Sequence, residues 1–443
     1  MVCDFFHPQV GGVEGHIYSL SVELMRRGHK VIVVTHHRDE RRGIRYLAPG
    51  LKVYHIPYVS IASSATLPNY LLFLPYIRTI LIRESVDIVH GHATLSSMAH
   101  EAIHHAPLLG VRTVFTDHSL FGFSDAVGVL TNKLLASVLR NVDAVICVSN
   151  TGRENTSLRA EIEAERVNVI PNALVPSQFQ PDPSRASKEI TIVVISRLVY
   201  RKGIDLLIAS APTICDLFPE VKFIVAGDGP KMVDLLQMRE KYELEDRIEF
   251  VGAVRPTDVR DVLTSGHIYL STSLTEAFGT AIIEAACAGL LVVASRVGGV
   301  PEILPTEMIE FAHADEDDVV RALSTAIKTV KAGKHDPLKA HARIRDMYSW
   351  AQVAERTETV YERVMSTPER GEGERLARLL GLGPVMGLIM CFIRGVEWWF
   401  FVVVCWFWPA DEIDVVPAGW DASSFGKAVE QEKQSKDFSQ PRD

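Results

Sequence analysis

The chain is 443 residues long, carries a formal net charge of −9, and is 23% charged and 47% hydrophobic. That length exceeds what one hydrophobic core serves, so two domains are expected, and the lack of a basic excess excludes nucleic acid as the main partner. The six cysteines are scattered, mostly in apolar runs, with no CxxC and no His/Cys group at metal spacing, and read as buried thiols of a reducing compartment.

From the N-terminus, Asp4 interrupts the chain before a signal-peptide core could form, so no secretory leader is expected. Strand-like runs then alternate with helix-length segments: VCDFF, KVIVVT (30–35), DIVHGH (87–92), RTVFTDH (112–118), AVICVS (144–149) and VNVIPN (167–172). This is the rhythm of a parallel sheet covered on both faces. Ile17, Leu20 and Leu24 mark one face of the first helix, and Gly28 is placed to end it. LPNYLLFLPYIRTILI (67–82) is unusually apolar; it reads as an ordinary core helix, with a segment dipping into a bilayer as the alternative.

Periodicity collapses at PSQFQPDPSRASKE (176–189), and the rhythm restarts with ITIVVIS (190–196), KFIVAGDG (222–229), IEFVGA (248–253), IYLSTS (268–273) and LLVVAS (290–295). The expected divisions are 1–175, 176–347, a helix at 348–366, a linker at 367–383, a membrane segment at 384–408 and a polar tail at 409–443. The membrane segment is long enough to span, yet Arg394 and Glu397 sit at its middle. Two central charges cost about 5 to 7 kcal/mol, which nearly cancels the apolar gain. Pairing between them, or counter-charges from partner helices, tips the balance to spanning; an interfacial hairpin is the alternative. Arg363, Arg370, Arg375 and Arg378 precede the segment, which keeps the large N-terminal body on the cytosolic side.

Glycines and charges gather where strands end. HPQVGGVEGH (7–16) follows the first strand, so Gly11 and Gly12 can let a ligand approach a helix N-terminus, with His16 either a ligand or a packing residue. No GxGxxG follows any strand, which disfavours a nicotinamide enzyme. In SRLVYRKG (196–203), Arg197 and Lys202 stand after a strand, suited to a diphosphate; a solvated loop is the plain alternative. In TEAFGTAIIEA (275–285), a helix starting near Gly279 leaves Glu276 in the preceding loop and Glu284 about one and a half turns inside. They read as two hydrogen-bond acceptors flanking an anion cradle, suited to a nucleotide sugar, with surface glutamates as the alternative. GDGP (227–230) and GGVPEIL (298–304) add further turns.

Together GGVExH, SRLVYRKG, GDGP, the glutamate-x7-glutamate pair and GGVPEIL resemble the retaining nucleotide-sugar glycosyltransferases of the GT-B fold. DFFHPQVGGVEGHIYSL, TDHSLFGF, SRLVYRKGIDLL and GHIYLSTSLTEAF, with the late hydrophobic segment, resemble more closely the catalytic subunits of phosphatidylinositol N-acetylglucosaminyltransferases, over roughly residues 1 to 410. That resemblance implies an α/β architecture of two doubly wound Rossmann-like domains facing a cleft, plus a C-terminal membrane segment. It implies transfer of N-acetylglucosamine from UDP-GlcNAc to phosphatidylinositol, with retention, as the first step of GPI-anchor biosynthesis at the endoplasmic reticulum membrane. Other subunits would be partners, and no metal or other cofactor would be needed. By position, Arg197 and Lys202 match the cations on the donor pyrophosphate, Glu284 the ribose acceptor, and Glu276 the acid near the transferred sugar. His118 matches a histidine beside that sugar; Gly279 belongs to the donor cradle; Gly12 belongs to the loop contacting donor phosphate or acceptor, and Gly11 and His16 beside it are expected on the acceptor. A transferase for another lipid or soluble acceptor, or a non-catalytic membrane scaffold, are the rival readings.

Overall fold

The computed structural model describes residues 1–8, 11–38, 41–58, 65–66, 68–120, 126–182, 184–185 and 189–416. The chain folds as two compact units, Met1–Pro171 with the segment from Ala351 onward, and Asn172–Trp350.

In the first unit the strands are β1 (Ile32–His36), β2 (Gly43–Leu47), β3 (Leu51–Ile56), β4 (Ile88–His92), β5 (Arg112–Asp117), β6 (Ala144–Cys147) and β7 (Val167–Val169). Val2 bridges β1 at Val34 and β4 at Gly91, both in parallel, so the N-terminal segment lies as a short central rung. The sheet order is therefore β2-β3-β1-Val2-β4-β5-β6-β7, parallel except for β2. The run VCDFF pairs through the two bridges of this one residue rather than as a full strand. The β2–β3 hairpin is absent from the sequence expectations because β2 is solvent-exposed and its residues, GIRYL, form no apolar run. Helices α1 (Gly12–Arg26), α2 (Tyr70–Arg83), α3 (Ser97–His105), α4 (Ala126–Leu139) and α5 (Asn150–Ala160) complete the layers. Phe73, Ile77, Phe115, Leu139 and Val145 lie in their shared core.

α2 is a core helix on one side, with Phe73, Leu74 and Ile77 fully buried, while Leu72 and Tyr76 are exposed on another. Its core face follows from the apolar spacing at i, i+1 and i+4.

The second unit carries β8 (Thr191–Ile195), β9 (Lys222–Ala226), β10 (Ile248–Gly252), β11 (Ile268–Ser271), β12 (Leu291–Ser295) and β13 (Ile309–Ala312). Its helices are α6 (Ile204–Leu217), α7 (Met232–Lys241), α8 (Val259–Thr264), α9 (Thr280–Cys287), α10 (Glu316–Lys331) and α11 (Pro337–Met347). All strands are parallel in the order β10-β9-β8-β11-β12-β13, the doubly wound arrangement in which the strand order reverses between β8 and β11. Ligands bind such sheets beyond the carboxyl ends of the strands at that reversal. The same reversal occurs in the first unit between Val2 and β4.

After Trp350 the chain joins the first unit through α12 (Trp350–Ser366), α13 (Glu372–Leu380) and α14 (Met386–Phe407). The stretch expected as a linker holds α13. Its flanking glycines and dense charge hide a helix whose Leu379 and Arg375 are both buried. The polar tail lies outside the described residues from 417 onward.

Candidate functional site

In the second unit, Arg197 stands just past β8 and is exposed, while Lys202 closes a short 3-10 turn before α6. Gly203 follows with φ +64, and a Cβ there would lie 1.8 Å from the Thr272 carbonyl oxygen. Only glycine permits both that conformation and that approach. The cationic loop is thereby pressed onto the end of β11: Thr272 Oγ1 donates to the Lys202 carbonyl at 3.1 Å and the Leu274 amide to the Arg201 carbonyl at 3.0 Å. On the other flank GDGP supports the same loop, with the Leu198 amide donating to the Asp228 carbonyl at 2.9 Å.

The loop after β11 then brings Glu276 to Lys202, with Nζ and Oε2 2.6 Å apart. Gly279 takes φ +92 and starts α9, whose N-terminus no side chain caps. Those amides and the helix dipole favour an anion. The Gly299 amide donates to the Glu276 carbonyl at 3.0 Å, so the GGVPEIL turn braces the same loop. Glu284 lies in α9 and is half-buried; burial pushes its carboxyl up from 4.5 to about 7. The structure thus gathers Arg197, Lys202, Glu276, Gly279 and Glu284 around the carboxyl ends of β8 and β11. The arrangement offers two cations, a helix N-terminus and two carboxyl groups, which suits an anionic, hydroxyl-bearing ligand.

In the first unit, Gly11 and Gly12 open α1 beyond the central rung. A Cβ on Gly12 would meet nothing within 4 Å, so packing places no demand on that glycine. His16, one turn into α1, is buried rather than displayed. It meets His118, at the end of β5, with ring centroids 4.6 Å apart. His92, at the end of β4, shares a 3.3 Å hydrogen bond between its Nδ1 and His118 Nε2. Donor nitrogens of His16, His92 and His118 all lie within 4.8 Å of one another, so these three could hold a metal ion. Burial, reinforced by the neighbouring rings, holds His92 and His118 well below the ordinary histidine range, and they are neutral near pH 7. Neutral imidazoles can give and accept hydrogen bonds to a polar ligand.

Sequence reasoning passed over His90 and His92. Their alternation in DIVHGH, two positions apart on a strand, puts both rings on one face, where they stack at 4.2 Å. His90 shares further hydrogen bonds of 2.7 Å with Thr116 and with Tyr361 of α12. The segment TDHSLFGF is described only as far as Leu120, and Phe121–Phe123 lie outside the described residues.

Residues 36–125 match the family described as PIGA (GPI anchor biosynthesis), and residues 177–339 match glycosyl transferases group 1. The chain is 52% identical over 415 residues to the phosphatidylinositol N-acetylglucosaminyltransferase gpi3 subunit of Schizosaccharomyces pombe, covering 94% of this chain and 91% of that one. It is 49% identical over 417 residues to the corresponding phosphatidylinositol N-acetylglucosaminyltransferase subunit of Homo sapiens, covering 94% and 86%. Among solved structures, sucrose-phosphate synthase from Thermosynechococcus elongatus aligns with a TM-score of 0.66 at 19% identity, over 81% of this chain and 94% of that chain. Anabaena Alr3699/HepE in complex with UDP and glucose aligns at 0.62 and 18%, over 82% and 99%. At these identities the structural likenesses carry the fold, which is GT-B.

Proposed function

Because the chain belongs to the gpi3 family of phosphatidylinositol N-acetylglucosaminyltransferase subunits, glycosyltransferases that open GPI-anchor biosynthesis, we propose that it is the component that binds UDP-GlcNAc and performs the transfer. The acceptor is an inositol hydroxyl of phosphatidylinositol, the anomeric configuration is retained, and the reaction takes place on the cytosolic face of the endoplasmic reticulum membrane. Its relatives are named as subunits, so the chain works within a multisubunit enzyme.

The observation that carries this reading is the cradle of Arg197, Lys202 and the uncapped α9 N-terminus at the reversal of the second sheet. When the sugar leaves UDP, negative charge grows on the β-phosphate oxygens. Preformed cations and helix amides stabilise it without reorganising, and each such donor is worth about 3 to 4 kcal/mol in the transition state. This supplies the charge stabilisation that a divalent ion provides elsewhere, so the proposed reaction uses no metal. Glu284 accepts from the ribose hydroxyls in its ionised form. Glu276, steadied by Lys202, accepts from the transferred sugar. In the first unit, His118 is the hydrogen-bonding group for that sugar, and Gly11 and Gly12 at the start of α1 form the loop for the acceptor, with Gly12 also on the donor phosphate.

The test is to incubate membranes containing the chain and its partner subunits with radiolabelled UDP-GlcNAc and to identify the labelled lipid. Label in N-acetylglucosaminyl phosphatidylinositol is expected, and label in another lipid or in a soluble product would refute the acceptor assignment.

A further inference from the structure

His118 follows the last residue of β5, Asp117, and successive side chains of a strand turn to opposite faces of the sheet. His118 accordingly meets His16 of α1, whereas the Asp117 carboxylate reaches α5 and is 2% exposed. Asp117 Oδ1 accepts from Thr94 Oγ1 at 2.8 Å and from the Ser119 amide at 3.1 Å. Its Oδ2 accepts from Thr156 Oγ1 at 2.9 Å and from the Arg159 guanidinium at 3.3 Å. Four donors match the roughly four lone-pair sites of a carboxylate. Arg159 is fully buried, and its Nε donates to Asn132 of α4 at 2.7 Å, which ties the pair to a second helix.

A buried ion pair of this kind adds little stability over apolar residues of the same volume, because desolvation offsets the attraction. What it supplies is geometry: a carboxylate with every acceptor position filled has one orientation. That orientation acts on His118 twice. The Ser119 amide is bound two residues on, so the His118 backbone is clasped between the Asp117 side chain and the next amide, as in an Asx turn. Thr94 ties the same oxygen to the chain leaving β4, two residues after His92, whose ring shares a hydrogen bond with that of His118. Between His92 and Thr94, Ala93 takes φ +70, a left-handed conformation unfavourable for a side chain, and its amide donates to the Thr116 carbonyl of β5 at 3.0 Å. Such a conformation persists only where the surrounding bonds hold it. The ends of β4 and β5 are thus fixed to each other around one carboxylate.

We propose that Asp117, anchored by Arg159, is a positioning residue of the transfer: it fixes the backbone on which His118 stands, and through it the placement of the His118 ring against the transferred sugar. The carboxylate is buried on the opposite side of the sheet from that ring, so it acts through His118 and not on the reacting atoms. This role rests on the one given to His118 above.

Turnover with radiolabelled UDP-GlcNAc is measured in membranes containing the full chain and its partner subunits. Asp117→Leu is combined with Arg159→Met, so that neither member of the pair is left as an uncompensated buried charge. Turnover is expected to fall about tenfold, as for His118→Ala, and adding His118→Ala to that protein is expected to lower it no further, as for groups that act as a unit. Asp117→Asn with Arg159→Met puts back the acceptor oxygen without the charge and is expected to regain most of the lost turnover; no recovery would overturn the clasp. Parental turnover in Asp117→Leu with Arg159→Met, or a further fall of about tenfold on adding His118→Ala, would overturn the proposal, because a residue that only supports the fold adds its effect to that of His118. Parental turnover in His118→Ala alone would instead overturn the role of His118, and this proposal with it. If Asp117→Leu with Arg159→Met does not accumulate in the membranes, Thr94→Val takes its place, removing one donor and keeping the carboxylate. A fall of about threefold is then expected in the parent and none in the His118→Ala background, and equal falls in both would overturn the proposal.

Discussion

Lys202 Nζ and Glu276 Oε2 lie 2.6 Å apart across 74 positions of sequence, joining the loops that follow β8 and β11. The two side chains are 27% and 21% exposed, so the pair contributes no more than about 1 kcal/mol to stability. Removing Lys202, or the exposed Arg197, should therefore spare the fold and harm the chemistry. Arg197→Ala and Lys202→Ala are each expected to lower turnover about a hundredfold or more, corresponding to about 3 kcal/mol, while thermal melting shifts little. Near-normal turnover in either variant would remove that residue from the assignment.

Two glycines with different surroundings should respond differently to the same change. Gly203→Ala puts a methyl group into the Thr272 carbonyl at a positive φ, and a loss of at least about 2 kcal/mol is expected from denaturant melts. Gly12→Ala meets open space and should leave the melt within about 0.5 kcal/mol of the parent. Lost turnover in that variant would report on close approach by a ligand.

Glu284 should impose a pH dependence. Its folded carboxyl titrates near 7 because of burial, against 4.5 when free, so between those values the folded state holds a proton that the unfolded state has released. Stability therefore falls as pH rises from about 4.5 to about 7 and is level beyond, as far as this group is concerned. Comparing urea midpoints of the parent and Glu284→Gln across that window should show a flatter profile in the variant. Parallel profiles would exclude Glu284 as the source.

The Arg394–Glu397–His104–His105 group makes a prediction about docking. Glu397→Ala leaves Arg394 buried without its acidic neighbour on the helix, and a loss of about 3 to 5 kcal/mol is expected. Arg394→Leu combined with Glu397→Leu should cost less than Glu397→Ala alone, because no buried charge remains on α14. Limited proteolysis at the α13–α14 turn would rank the three proteins.

The histidine group distinguishes hydrogen bonding from metal binding. If His92 and His118 act as neutral imidazoles and the group holds no metal, exhaustive treatment with EDTA leaves turnover unchanged, and His118→Ala lowers it about tenfold, as for loss of one hydrogen bond. Inactivation by chelation with recovery on adding zinc would assign the three to a metal instead.

Much of the fold was legible in the residues themselves. Strands of a parallel sheet buried on both faces must be nearly continuous apolar runs, and β4–β6 and β8–β12 lie within runs recognisable by that rule, with β1 extending one residue past its run. The loops SRLVYRKG, GDGP and TEAFG were equally readable, since chain reversal at a strand end demands glycine and ligand binding demands charge. β2 was hidden by its exposure, β13 by the half-buried Glu310 that interrupts its apolar residues, and α13 by the glycines and charges around it. Leu74, which an apolar run could have placed against lipid, faces the core.

Sequence alone determined the two sheets, the positions of the glycine-rich and charged loops at their strand ends and the presence of a long apolar helix near the end, because each depends on local periodicity and turn chemistry. Tertiary structure alone decided that Lys202 meets Glu276, that His92 joins His16 and His118, and that the charges of α14 find their partners on α3 and α13. Those relationships join residues far apart in the chain. Burial and hydrogen-bond satisfaction select them only once the whole unit has closed around its core.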